Sequence, residues 1–90
     1  MKIFDGIKLN VGPSPIWRKK GWAGLDHKPS RVGSETILGD ASNIKLKSKS
    51  CSAIFASHIV EHIPQYKFEN CLLEFNRVLK KNGVIRILTP

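Results

Sequence analysis

The sequence predicts an α/β domain built on a mainly parallel, five-stranded sheet. Of five short apolar runs, four stop at a Gly, an Asp or a Ser-His pair, the pattern of buried strands. One strongly periodic helix lies between the last two runs. The stretch from Ser52 to Pro90 therefore reads as a complete strand–helix–strand unit, the building block of parallel sheets.

The first strand is predicted over Lys8 to Val11, ending at Gly12. The second covers Trp22 to Leu25 and ends at Asp26. The third covers Glu35 to Leu38 and ends at Gly39-Asp40. The fourth covers Ala53 to Ser57, and the fifth Val84 to Leu88. Only short connections join the first three, with Pro13, Pro15, Pro29 and Gly33 among them. Parallel strands normally need a crossover of a dozen or more residues. Any helices there must be a turn or two, or missing, and Ile16 to Lys20 could form one such turn. Ser48 to Ser52 reads as a polar, flexible loop.

The helix is predicted from about Tyr66 to Lys81. Phe68, Leu72, Phe75 and Leu79 recur at three-to-four spacing, with Cys71 and Val78 beside them, giving one stripe to pack on a sheet. Lys80 and Lys81 would suit the negative end of the helix dipole. Asn82-Gly83 would stop the helix. Pro64 blocks its extension backward toward His62.

Ninety residues make a single domain, 1–90, with room for a small core only. The apolar fraction of 41% and charged fraction of 24% are those of an ordinary soluble protein. No run approaches the length of a membrane span, so no membrane partner is expected. The first ten residues lack signal-peptide architecture. Cys51 and Cys71 then favour reduced thiols and a cytoplasmic setting. The net charge of +8 leaves nucleic acid open as a partner. Along the chain, however, the lysines are spread out and no aromatics interleave with them. A solvated surface is the simpler expectation, and nucleic-acid binding the less favoured one.

Four places carry candidate chemistry. Val11-Gly12-Pro13 is either a close backbone approach to a ligand or a simple turn. Asp26-His27, ending the second strand, could hold ribose hydroxyls or only cap a turn. Asp40-Ala41 could accept from an exocyclic amine beside a flat ring, or again cap a turn. Ser57 and His58 begin a segment in which His58, Glu61 and His62 match an H-x-x-E-H zinc pattern. The strand directly before it and Pro64 directly after leave no helix for that metal site, and no metal is expected. His62 packs under the sheet or lines a pocket.

The ordered series LNVG, GWAGLDH, ILGDA, SAIFASHIVEHI and LLEFNRVLKKNGVIRILTP resembles the class I S-adenosylmethionine-dependent methyltransferases. It looks most like the small-molecule branch with an S-H-x-x-E-H-I-P stretch. The likeness runs from about Lys8 to Pro90. It implies a Rossmann-like fold with strand order 3-2-1-4-5, and S-adenosyl-L-methionine as cofactor. It would set Val11, Gly12 and Pro13 against the methionine moiety and Asp26 on the ribose. His27, Asp40 and Ala41 would meet the adenine, and Ser57 and His58 the pocket wall. His58 and His62 are the weak candidates for a base, histidine being suited to proton transfer near neutral pH. The loop Gly12-Pro13-Ser14-Pro15 departs from the family's G-x-G and predicts weaker cofactor binding. Asn82 replaces a usual proline, which is expected to be harmless at a helix end. The family continues into two more strands, six and seven. The chain is expected to lack them, leaving the fifth strand an open edge prone to self-association. The alternatives to a methyltransferase of unidentified methyl acceptor are a non-catalytic interaction module and a basic nucleic-acid binder.

Overall fold

All five apolar runs become strands, and they hydrogen-bond into one sheet. The structure, a computed structural model, describes residues 6–13, 19–28, 30–33, 35–57 and 59–89. The strands are β1 (Ile7–Val11), β2 (Trp22–Asp26), β3 (Thr36–Leu38), β4 (Cys51–Ser57) and β5 (Leu79–Leu88). Every neighbouring pair is parallel, and the order is β3-β2-β1-β4-β5 as expected. The helix α1 (Gln65–Val78) joins β4 to β5 after a 3-10 turn at Val60–His62. Among the described residues no helix joins β1 to β2 or β2 to β3. Of the proposed turn at Ile16 to Lys20, residues 16–18 lie outside the described residues; Lys19 accepts a hydrogen bond from the Trp22 amide and leads directly into β2.

Strand alternation sorts the sheet into two unlike faces. Leu9 and Val11 of β1, Ala23 and Leu25 of β2, and Ile54 and Ala56 of β4 are buried on one of them. The register sets Leu9 beside Ala23 and Ile54, and Val11 beside Leu25 and Ala56. Cys71, Phe75 and Val78 of α1 close over this layer, joined by Ala41 and Ile44 from the β3–β4 connection. Each large side chain so buried contributes about 1.5–3 kcal/mol. Both cysteines are free and buried, and burial raises the pKa of each thiol.

The helix differs from its expected form. Its buried positions are Cys71, Phe75 and Val78, while Phe68 and Leu72 are 37% and 42% exposed. The packed stripe is thus turned from the expected one, because the core offered by β1 and β4 is narrow. Nor does α1 reach Lys81. Leu79 is already extended and pairs with Cys51, so sheet pairing ends the helix at Val78. Lys80 and Lys81 belong to β5 and do not cap a helix. The register jumps from Cys51–Leu79 to Ala53–Val84, which sets residues 80–83 against Ser52 as a bulge. Asn82 takes a positive φ of 101° there. At Gly83 a Cβ would stand 2.8 Å from Leu79 Cδ2 and 3.0 Å from the Lys80 carbonyl oxygen. Asn82-Gly83 therefore shapes a bulge, not a helix stop.

The Ser48–Ser52 stretch is a tethered segment, not a flexible loop. Cys51 and Ser52 are in β4, and the Lys49 amide donates to the Arg77 carbonyl at 2.9 Å. Arg77 also donates to the carbonyls of Ile44 (2.8 Å) and Leu46 (2.9 Å), and to Ser48 Oγ. Glu74 accepts from Arg77 Nε at 2.6 Å and from the Ile44 amide at 2.8 Å. This pair, one helical turn apart, latches α1 to the connection that carries Asp40 and Ala41. Arg77 holds the Glu74 carboxyl below its ordinary value by that hydrogen bond.

Candidate functional site

A cleft of about 270 Å³ opens at the carboxyl ends of β1, β2 and β3, on the α1 side. Its floor is apolar, formed by Val11, Leu25 and Ala41; Ile59, Ile63 and Pro64 make the opposing wall. The size lies near the lower end of small-molecule sites, about 300–1,000 Å³. Open parallel sheets put ligand sites at this edge because the strands all end there and their loops diverge.

Gly12 terminates β1 at the back of the cleft. Its φ is +69°, in the left-handed region, and its amide donates to the Leu25 carbonyl at 2.9 Å. A Cβ at this position would come within 2.7 Å of Ile59 Cδ1. The absence of a side chain is thus what lets the Ile59 wall approach the end of β1.

Two carboxylates stand at adjacent strand ends. Asp26 Oδ1 accepts the His27 amide at 2.7 Å, and the Asp26 carbonyl accepts from Gly39 at 2.9 Å, tying the ends of β2 and β3 together. Asp40 Oδ2 accepts the Ser42 hydroxyl and lies 3.5 Å from Lys67 Nζ; its Oδ1 lies 3.6 Å from His27 Nε2. The Ser42 hydroxyl is the main cause that holds the Asp40 carboxyl below its ordinary value, with the Ser42 amide and Lys67 assisting against burial.

Of the residues singled out from sequence, Val11, Gly12, Asp26, His27, Asp40, Ala41 and His62 all line this one cleft. His62 is exposed at the rim and does not pack under the sheet. Pro13 and Ser57 do not line it. Pro13 Cγ lies 2.8 Å from where a Gly24 Cβ would stand, and Gly24 pairs with Asn10, so Pro13 leans over the opposite face of the sheet. Ser57 alternates with Ala56, whose side chain is buried toward α1, and so points away from the cleft side. His58 lies outside the described residues. Sequence reasoning missed Ile59, Ile63, Pro64 and Lys67. Their approach to the ends of β1 and β3 depends on where the chain turns after β4, which no local pattern signals.

The fold and the cleft together define a Rossmann-like α/β domain with its site at the strand ends. The chain belongs to the methyltransferase-domain family, whose model matches residues 11–87, from the last residue of β1 to the penultimate residue of β5. No curated protein and no solved structure matches it. No helix among the described residues is long and apolar enough to cross a membrane.

Proposed function

We propose that the cleft binds S-adenosyl-L-methionine and that the chain is a class I methyltransferase domain, or the cofactor-binding part of one. The observation that carries this is the meeting of Asp26, Asp40 and Gly12 in one apolar-floored cleft. A nucleoside has a diol and a flat ring with an exocyclic amine. Asp26 would accept from the diol, and Asp40 from the amine beside small Ala41. The two carboxylate acceptors and the apolar floor of Val11, Leu25 and Ala41 fit that group. Val11 and Gly12 would bound its amino-acid end.

The cofactor supplies a methyl group on a positively charged sulfur. The chain's own contribution is positional. Asp26 and Asp40 orient, while Ile59, Ile63 and Pro64 exclude water from the reacting end. His62, which lines the cleft, would take a proton from an acceptor that must lose one.

Calorimetric titration with S-adenosylhomocysteine tests the reading. The wild-type chain should give saturable heat, and Asp26→Ala should weaken binding by about tenfold or more, the worth of hydrogen bonds to a charged group. No heat from the wild type up to millimolar ligand would sink it.

A second reading rests on β5, where Val84, Ile85 and Ile87 are 64%, 38% and 38% exposed. An apolar edge of this kind favours a non-catalytic module that self-associates by strand pairing. Sedimentation across a range of concentrations separates the two: a monomer throughout removes the second.

A further inference from the structure

Among the described residues no helix covers the face of the sheet turned away from α1, and its side chains are unlike those of the apolar layer. Register places Gly24, Asn10, Phe55 and Arg86 side by side in one row. The row below holds Trp22, Lys8, Ala53 and Val84. Of these residues only Asn10 and Gly24 are buried. Lys8, Trp22, Ala53 and Phe55 are half-buried, and Val84 and Arg86 are exposed.

The chemistry of the face indicates a class of ligand. A hollow of about 320 Å³ is lined by Asn10, Lys19, Trp22, Phe55 and Arg86. It shares Lys19 and Trp22 with a second hollow, which adds Lys8 and Lys20. Among the lining residues Glu35 is the single carboxylate. Cations therefore dominate the surface, in a chain of net charge +8. Two aromatic rings lie within it, Trp22 on β2 and Phe55 on β4, with β1 between them. Two strand spacings and two residues of rise put their Cα atoms roughly 12 Å apart, within reach of neighbouring nucleotides of an extended strand. Lys19 Nζ lies 5.7 Å from the Trp22 ring centroid, near the outer limit of about 6 Å for a cation–π contact. That loose pairing leaves the ring able to receive a base and the ammonium able to meet a phosphate. Asn10 is 6% exposed and lines the hollow, and no side-chain hydrogen bond holds its amide among the described residues. An amide so placed can read a base edge.

We propose that this sheet face binds single-stranded nucleic acid, with bases stacked on Trp22 and Phe55 and phosphates met by Lys8, Lys19 and Arg86. Along the chain the aromatics and lysines do not interleave. They interleave here because three separate strands contribute them. Trp22 and Phe55 are half-buried, and the part of each ring that stays accessible between basic residues suits the division of labour by which sheets bind single strands. The site lies across the sheet from the cofactor cleft and does not depend on it.

The test is fluorescence anisotropy of labelled oligouridylate and oligothymidylate of about ten nucleotides with the full chain, over salt from about 50 mM to about 200 mM. Saturable binding that weakens with salt is expected. The double variant Lys8→Gln with Arg86→Gln should lose about tenfold in affinity and flatten the salt slope by about 1.4, at about 0.7 per phosphate contact. Trp22→Leu should lose about tenfold with the slope unchanged. Lys45→Gln with Lys47→Gln removes the same charge from the connection latched to α1, and should change little. Circular dichroism confirms that each variant is folded; if Trp22→Leu is not, Phe55→Leu takes its place. An absence of saturable binding at low salt overturns the proposal. So does duplex bound as tightly as single strand, or an equal loss in the Lys45/Lys47 control.

Discussion

The two faces of one five-stranded sheet differ in almost every physical respect. The face toward α1 is a closed apolar layer of Leu9, Val11, Leu25, Ile54, Phe75 and Val78. The other carries Lys8, Trp22, Phe55 and Arg86 at no more than partial burial. The same strands make both, because successive side chains point to opposite sides. One face supplies the cohesion of the domain and the apolar floor of the cleft. The other buries less apolar surface among the described residues, and is the face proposed for recognition. Loss of a side chain should therefore have very different consequences on the two sides.

The sharpest break comes from two phenylalanines. Phe75→Ala should cost about 3–5 kcal/mol, enough to unfold much of a small domain. Phe55→Ala should cost only about 1 kcal/mol, since its ring is half-buried. Urea melts of the two variants make the comparison, and equal losses would show that the second face is covered after all.

Glu74→Ala comes next, at about 1–3 kcal/mol, because it unlatches α1 and leaves the Ile44 amide and Arg77 without their carboxylate. Its pH dependence follows from the lowered pKa. A carboxyl whose folded pKa lies below the unfolded value contributes stability that is present above the unfolded pKa, 4.5 for an ordinary glutamate. That stability is lost as pH falls through the folded value. The gap between wild type and Glu74→Gln in thermal melts should thus be widest at neutral pH and shrink below about pH 4.5. Asp40 has the same sign in both proteins and cancels in the difference.

Gly12→Ala should cost about 1–2 kcal/mol through its left-handed backbone. It also drives a methyl into Ile59, so affinity for S-adenosylhomocysteine should fall as the wall is pushed into the cleft. Adding Ile59→Ala should restore part of the affinity and none of the backbone cost, as calorimetry and melts would show. The smallest effect on folding is expected at Asp26. Asp26→Asn should shift stability by less than about 0.5 kcal/mol while still weakening the ligand, which would separate binding from cohesion at one residue.

Much of this was legible in the chain. The five strands were readable because each is a short apolar run, four of them closed by a Gly, an Asp or a Ser-His pair. Gly12, Asp26 and Asp40 were each readable as strand-end residues, and as a set through the family resemblance, since parallel strands bring their ends to one edge. What failed were features set by competition between elements. Lys80, Lys81 and Asn82-Gly83 look like a helix end by local rules, yet Leu79 is worth more paired with Cys51. Phe68 and Leu72 look like core, yet the layer beneath α1 has room for Cys71, Phe75 and Val78. Arg77 looks like a surface cation, yet it gathers carbonyls from residues 44 and 46, some thirty positions away in the chain.

The sequence by itself determined the strands, the helix between the last two and the acidic residues at the strand ends, because these follow from periodicity and turn chemistry within a few residues; the strand order came only from the family resemblance. Only the tertiary structure decided where α1 stops, that Ile59, Ile63 and Lys67 wall the cleft, and that Trp22 and Phe55 share a basic face. Each of those depends on register between strands distant in sequence, and register is a property of the assembled sheet.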